Sequence, residues 1–126
     1  MQEFVQELIQ NYIGVIKKYV VFDGRARRRE FWMFVLANFL VGIVFSILGS
    51  IPFIGKLFFV LSVIYSLAIL LPGIAAGARR LHDTNRTALF LLLGLIPIVG
   101  EIILIVFFVQ EGTPGENQYG PNPKGA

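Results

Sequence analysis

The sequence contains no cysteine and a single histidine, His82. That excludes disulfides, thiolate catalysis and Cys-based metal sites, and one histidine without a convergent carboxylate motif does not suit a metal ion. No cofactor and no metal are expected. Charge is also scarce: 15% of the 126 residues are charged, against 56% hydrophobic, and mean hydropathy is +0.72. A soluble domain of this length would carry more charge and shorter apolar runs. Net charge is +3, and the basic residues cluster beside apolar runs. Anionic lipid headgroups, rather than nucleic acid, are therefore the expected counter-charge.

The charge that is present gathers in two polar knots. One is Asp23-Gly24-Arg25-Ala26-Arg27-Arg28-Arg29-Glu30, and the other is Arg79-Arg80-Leu81-His82-Asp83-Thr84-Asn85-Arg86-Thr87. Apolar runs at 31–50, 57–78 and 88–109 flank them. At about 1.5 Å per helical residue, each is long enough to cross a hydrocarbon core of roughly 30 Å. The expected fold is an all-α integral membrane domain over 1–126: three transmembrane helices preceded by an amphipathic interfacial helix over 4–20, with an irregular tail over 110–126. In that first segment, apolar pairs such as Phe4-Val5 and Leu8-Ile9 recur with helical period. Met1-Gln2-Glu3 is not basic and no uninterrupted apolar core follows, which argues against a secretory signal peptide.

Asn38, Gly42, Ser46 and Ser50 form a small, polar stripe on the first run; Ser62, Ser66, Gly73 and Gly77 form a compatible one on the second. The six-residue connection at 51–56 makes an antiparallel hairpin that turns the stripes toward each other, and Gly73 and Gly77 read as packing positions. Pro72-Gly73 is placed to kink the second helix. The third run contains Pro97, Gly100 and Glu101. Its Ile96-Pro97-Ile98-Val99-Gly100-Glu101-Ile102 echoes Ile51-Pro52-Phe53-Ile54-Gly55-Lys56-Leu57. The leading reading is one continuous kinked span. The alternative is a re-entrant hairpin that returns the tail to its starting side. Lys17, Lys18 and Arg25–Arg29 precede the first run, Arg79, Arg80 and Arg86 follow the second, and only Lys56 and Lys124 lie elsewhere. The positive-inside rule puts both knots and the N-terminus in the cytoplasm, and three spans put the tail outside.

Three motifs carry a family resemblance. They are Phe22–Trp32 (FDGRARRREFW), Ala78–Thr84 (ARRLHDT) and Gly112–Pro123 (GTPGENQYGPNP). In this order they resemble the bacterial inner-membrane proteins grouped as domain of unknown function 805, from about Tyr19 to Pro123. That family usually continues its second knot with Gly-Arg-Ser-Gly-Trp-Trp; here Asn85-Arg86-Thr87-Ala88-Leu89-Phe90 stands instead. The resemblance implies a multi-pass bacterial inner-membrane protein and brings no established activity.

Arginine presents a planar fork suited to phosphates and carboxylates. Arg25, Arg27, Arg28, Arg29, Arg79, Arg80 and Arg86 are thus candidates for holding lipid or a partner, or for clamping the knots through Asp23, Glu30 and Asp83. His82-Asp83 invites an acid–base reading, but neighbours on a helix do not face each other and no nucleophile motif accompanies them. His82, Asp83, Thr84 and Asn85 read instead as a loop histidine followed by N-cap residues for the next helix. Glu101, an ionisable residue at membrane depth, is a structural or gating candidate. In a continuous third helix it shares an inward face with Gly94 and Pro97. The leading functional expectation is non-enzymatic: a scaffold or accessory subunit whose cytoplasmic Arg-rich face engages anionic lipid or a membrane-protein partner, and which forms homo-oligomers. The alternative is an oligomeric channel or transporter subunit using Glu101. An enzyme acting on a lipid headgroup ranks third.

Overall fold

A computed structural model describes residues 1–123. Lys124, counted above for charge asymmetry, lies outside the described residues. The chain folds as α1 (Gln2–Lys17), α2 (Arg28–Gly49), α3 (Gly55–Asp83), a short 3₁₀ leg (Ala88–Leu95) and α4 (Val99–Val109). Among the described residues the only β-type pairing is one isolated bridge, Asn117 with Gly120, in the tail.

α2 and α3 are long and apolar enough to cross a membrane. Their 22 and 29 residues correspond to about 33 and 43 Å of helix. They pair antiparallel through the turn at 51–54. α3 runs unbroken through Pro72, which is buried inside it.

The 88–109 run is not one continuous helix, which corrects the three-span expectation at its third element. The 3₁₀ leg ends at Leu95, the chain reverses at Ile96–Ile98, and α4 returns. Eight 3₁₀ residues at about 2.0 Å rise and eleven α residues at about 1.5 Å give two legs of about 16 Å each. Neither leg alone spans 30 Å.

The two echo segments adopt the same reversal. Pro52 accepts from the Ile54 N–H at 2.9 Å, and Pro97 from the Val99 N–H at 2.7 Å, each closing a γ-turn. The central residues, Phe53 and Ile98, have φ of +74° and +67°. Gly55 N–H then donates to Ile51 O, and Gly100 N–H to Ile96 O. Both glycines are required by close approach, not by their own φ. A Cβ on Gly55 would overlap the Gly49 carbonyl, and one on Gly100 the Leu93 carbonyl. The sequence Ile-Pro-X-X-Gly is therefore a device for turning one apolar helix back along another.

The core lies at one end of the molecule. Val15 of α1, Phe31 and Phe34 of α2 and Ala76 of α3 form its centre, with Tyr12, Trp32 and Phe108 packed around them. Tyr12 stacks on Phe34 with ring centroids 5.8 Å apart. The small residues of α3 divide their work. Gly77 makes room for Leu91 of the 3₁₀ leg and Phe108 of α4, whereas Gly73 faces Phe34 of α2. Farther along, Asn38, Gly42, Ser46, Ser62, Tyr65 and Ser66 face one another across a groove of about 540 Å³ between α2 and α3. Beyond that core, apolar side chains point outward along most of α2, α3 and α4.

Candidate functional site

The site is a closed node of charge where the two knots, the end of α4 and the tail meet. α3 ends there in a Schellman arrangement: Arg86 N–H donates to Leu81 O, Asn85 N–H donates to His82 O, and Asn85 has φ of +60°. Asparagine tolerates this left-handed conformation better than most residues. Asp83, Thr84 and Asn85 therefore terminate α3 and do not cap the next element. The 3₁₀ leg is capped by Thr87, whose hydroxyl accepts from the Leu89 N–H.

Asp83 is the centre of the node. Its carboxylate accepts from Arg25 Nε at 2.9 Å and from Arg80 Nη1 at 2.8 Å, and all three side chains are almost fully buried. Arg25 continues outward, donating to the carbonyl oxygens of Thr113, Gly115 and Gly120 and to that of Asp83 itself. The tail is thereby wrapped around one guanidinium. The Thr113 N–H closes the ring by donating to Asp83 O at 2.7 Å. Gly112 passes so close that a Cβ there would overlap the Asp83 carboxylate.

Arg80 donates to Ala26 O of the first knot, to Phe108 O and to Gln110 O. Trp32 Nε1 also donates to Phe108 O, and Arg28 to Val109 O. The last carbonyls of a helix lack intrahelical partners and carry its negative dipole end. Here two arginines and an indole from other elements supply the missing donors for α4. Arg79 donates to Glu30 at 2.7 Å and to Val21 O at 3.1 Å, while its second terminal nitrogen is buried with no hydrogen-bond partner among the described residues. Ala26 N–H donates back to Arg79 O, stitching the knots together through the backbone.

His82 is buried, not in a loop. A carbonyl can only accept, so His82 donates from Nδ1 to Gly24 O at 2.9 Å. Its ring stacks on Tyr119 at 3.9 Å, and Asn117 donates to its carbonyl. Asp83 points to arginines rather than to the imidazole, so the neighbours form no dyad.

The remaining candidates scatter. Arg27 and Arg29 are exposed, and Arg29 pairs with Glu7 of α1 at the surface. That hydrogen bond holds the half-buried Glu7 carboxyl below the usual carboxylate range. Arg86 lies 4.1 Å over the Phe107 ring. Asp23 is exposed. Glu101 is exposed in the first turn of α4, not on an inward face with Gly94 and Pro97, because the chain reverses between them. The tail is likewise not separated from the knots, as three spans would require. It is hydrogen-bonded to Arg25, Arg80 and Asp83 at their end of the molecule.

Sequence reasoning found the charged members of this node but missed its acceptors, which are main-chain carbonyls of α4 and the tail. The available signal was the third motif, Gly112–Pro123, whose glycines and prolines fit a wrapped segment. Among the described residues no group of three or more His, Asp or Glu side chains could hold a metal ion.

Two long apolar helices with a charged node at one end define a small multi-pass membrane protein. The family model described as "Protein of unknown function (DUF805)" matches residues 19–121, and the chain belongs to that family. It is 47% identical over 116 residues to inner membrane protein YhaI of Escherichia coli K12, covering 92% of this chain and 97% of that one. It is 49% identical over 117 residues to inner membrane protein YhaH of the same strain, covering 90% and 95%. No solved structure matches it. With these relatives and its apolar helices, the protein is a bacterial inner-membrane protein.

Proposed function

We propose that the protein is a non-catalytic scaffold or accessory subunit of the inner membrane, built from two spans and a re-entrant hairpin whose charged end lies in the cytoplasm. The observation that carries this reading is the state of the arginines. Arg25, Arg79 and Arg80 are buried and bonded to the chain's own carboxylates and carbonyls. They lock the cytoplasmic end rather than offer it to a substrate.

Lys17, Lys18, Arg27 and Arg29 remain exposed at that end. Together with the outward apolar side chains of α1, Phe4, Val5, Ile9 and Ile13, they suit a helix lying on an anionic leaflet. Each basic residue near such a surface contributes about 1 kcal/mol. Replacing all four with glutamine should lower the phosphatidylglycerol and cardiolipin that co-purify in mild detergent at low salt, with the fold unchanged. Unchanged acidic lipid at low salt would refute the lipid role, because screening is then minimal.

A further inference from the structure

A cleft of about 400 Å³ opens between the start of α1 and the start of α2. Its lining changes character along its length. Arg28 and Arg29 form one end, and Phe4, Trp32, Met33 and Leu36 form the rest. Arg28 to Leu36 is eight residues, about 12 Å of helix. The arginines lie with the polar knots, and Leu36 lies toward the middle of a helix apolar enough to cross a membrane. Arg29, Met33, Leu36 and Leu40 recur at helical spacing, so they share one face of α2. Leu36 and Leu40 are exposed on it, and they carry the apolar track onward from the cleft.

The chain does not use up the two guanidiniums at the mouth. Each carries five N–H donors. Arg28 forms no ion pair with any described residue and donates only from Nη1, to Val109 O at 3.2 Å. Arg29 gives Nε and Nη2 to Glu7, which leaves its Nη1 without a partner among the described residues. Two guanidiniums against the one Glu7 carboxylate leave a single positive charge at this end. Trp32 is held as a wall, because its Nε1 is already committed to Phe108 O at 3.1 Å.

We infer that this cleft binds one anionic phospholipid of the cytoplasmic leaflet, with its phosphodiester on Arg28 and the free Nη1 of Arg29 and one acyl chain along Trp32, Met33 and Leu36. The inference rests on the lipid-facing, cytoplasmic placement of the charged end proposed above, and it names a lipid site there. The guanidinium fork matches phosphate oxygens. The remaining charge matches one phosphodiester, whereas a zwitterionic lipid would leave it uncancelled. The order of the lining, charge then indole then aliphatic, is the order in which an inner-leaflet lipid presents headgroup, interface and chain to a helix entering the bilayer.

Trp32 is the only tryptophan, so its fluorescence reports on this cleft. The full chain would be placed in phosphatidylcholine vesicles carrying a small fraction of phosphatidylglycerol brominated along its acyl chains, at physiological ionic strength, where distant charges are screened over about 8 Å. Brominated phosphatidylglycerol should quench Trp32 at a mole fraction about fivefold lower than brominated phosphatidylcholine does, the equivalent of about 1 kcal/mol for one basic residue at an anionic leaflet. Arg28→Gln should abolish that preference. Leu36→Phe should abolish it too, by filling the chain's path at an exposed position without changing any charge. Replacing Lys17, Lys18 and Arg27 together with glutamine should leave most of it. No preference in the unaltered protein, or a preference that survives both Arg28→Gln and Leu36→Phe, would overturn the inference. Displacement of the lipid by free glycerol phosphate would show an anion site without a chain and would overturn it as well. Loss in the triple variant but not in Leu36→Phe would assign the preference to the exposed basic surface; the lipid reading would then stand and the cleft alone would fail. If acidic lipid also fails to co-purify with the unaltered protein at low salt, the lipid reading itself falls.

Discussion

Asp83 is the residue on which the charged end depends. It neutralises two buried guanidiniums, and its backbone ties the tail through Thr113. Removing one member of a buried ion network leaves an uncompensated charge and costs about 3–5 kcal/mol. Asp83→Ala should therefore lower stability by that order in denaturant titrations in detergent, and it should free the tail to proteolysis after Val109. Asp83→Asn, which keeps shape but loses charge, should fall between. Arg80→Lys should fail to rescue, because one ammonium cannot reproduce the fork that joins Asp83, Ala26, Phe108 and Gln110. Gly112→Ala should weaken the tail's hold without removing any charge, since its methyl would displace the Asp83 carboxylate. The charged members of this node were legible as types. The expected clamp between knots is present in Arg79–Glu30 and Arg25–Asp83. Which arginine meets which acid was not legible, because pairing across 58 residues depends on a docking that no local pattern encodes. The burial of the arginines was hidden for another reason: their partners are mostly carbonyls, which every residue carries and no sequence marks.

At the scale of the element, α2 and α3 were readable from length and apolarity alone, because a bilayer demands both. The third run was misread by the same logic, since its 22 residues fit a span. The echo of the first turn was the better guide. A γ-turn centred on isoleucine at positive φ is disfavoured by local propensity, so only the repeated Ile-Pro-X-X-Gly frame announced it. Gly100→Ala should disrupt the reversal, because its Cβ would overlap the Leu93 carbonyl. Ile98→Gly should relieve the strained φ and raise thermal stability modestly, because the side chain it removes is exposed at the tip. A fall in melting temperature on Ile98→Gly would show that the side chain, not the backbone, governs the tip. α1 offers a pH test. Its Glu7 carboxyl is depressed by the Arg29 hydrogen bond, so its contribution to docking is present above the ordinary carboxylate range and is lost as pH falls through the depressed value. Arg29 is exposed and Glu7 about one-third exposed, so solvent screens the pair, and the effect should be small and should vanish in high salt. A pH effect on α1 protection from hydrogen exchange that survives Glu7→Gln would assign it to another group.

The whole molecule is organised by the return of α4 to the arginines. Its last carbonyls are capped by Arg28, Trp32 and Arg80, and the tail that follows is wound around Arg25. That closure requires the tail and both knots to share one side of the membrane, whereas a continuous third span separates them. Topology reporters joined after Thr87 and after Pro123 distinguish the two most directly. An alkaline phosphatase fusion should be inactive, and a green fluorescent protein fusion fluorescent, at both positions. Active phosphatase after Pro123 together with an inactive fusion after Thr87 would contradict the re-entrant hairpin and the node it closes.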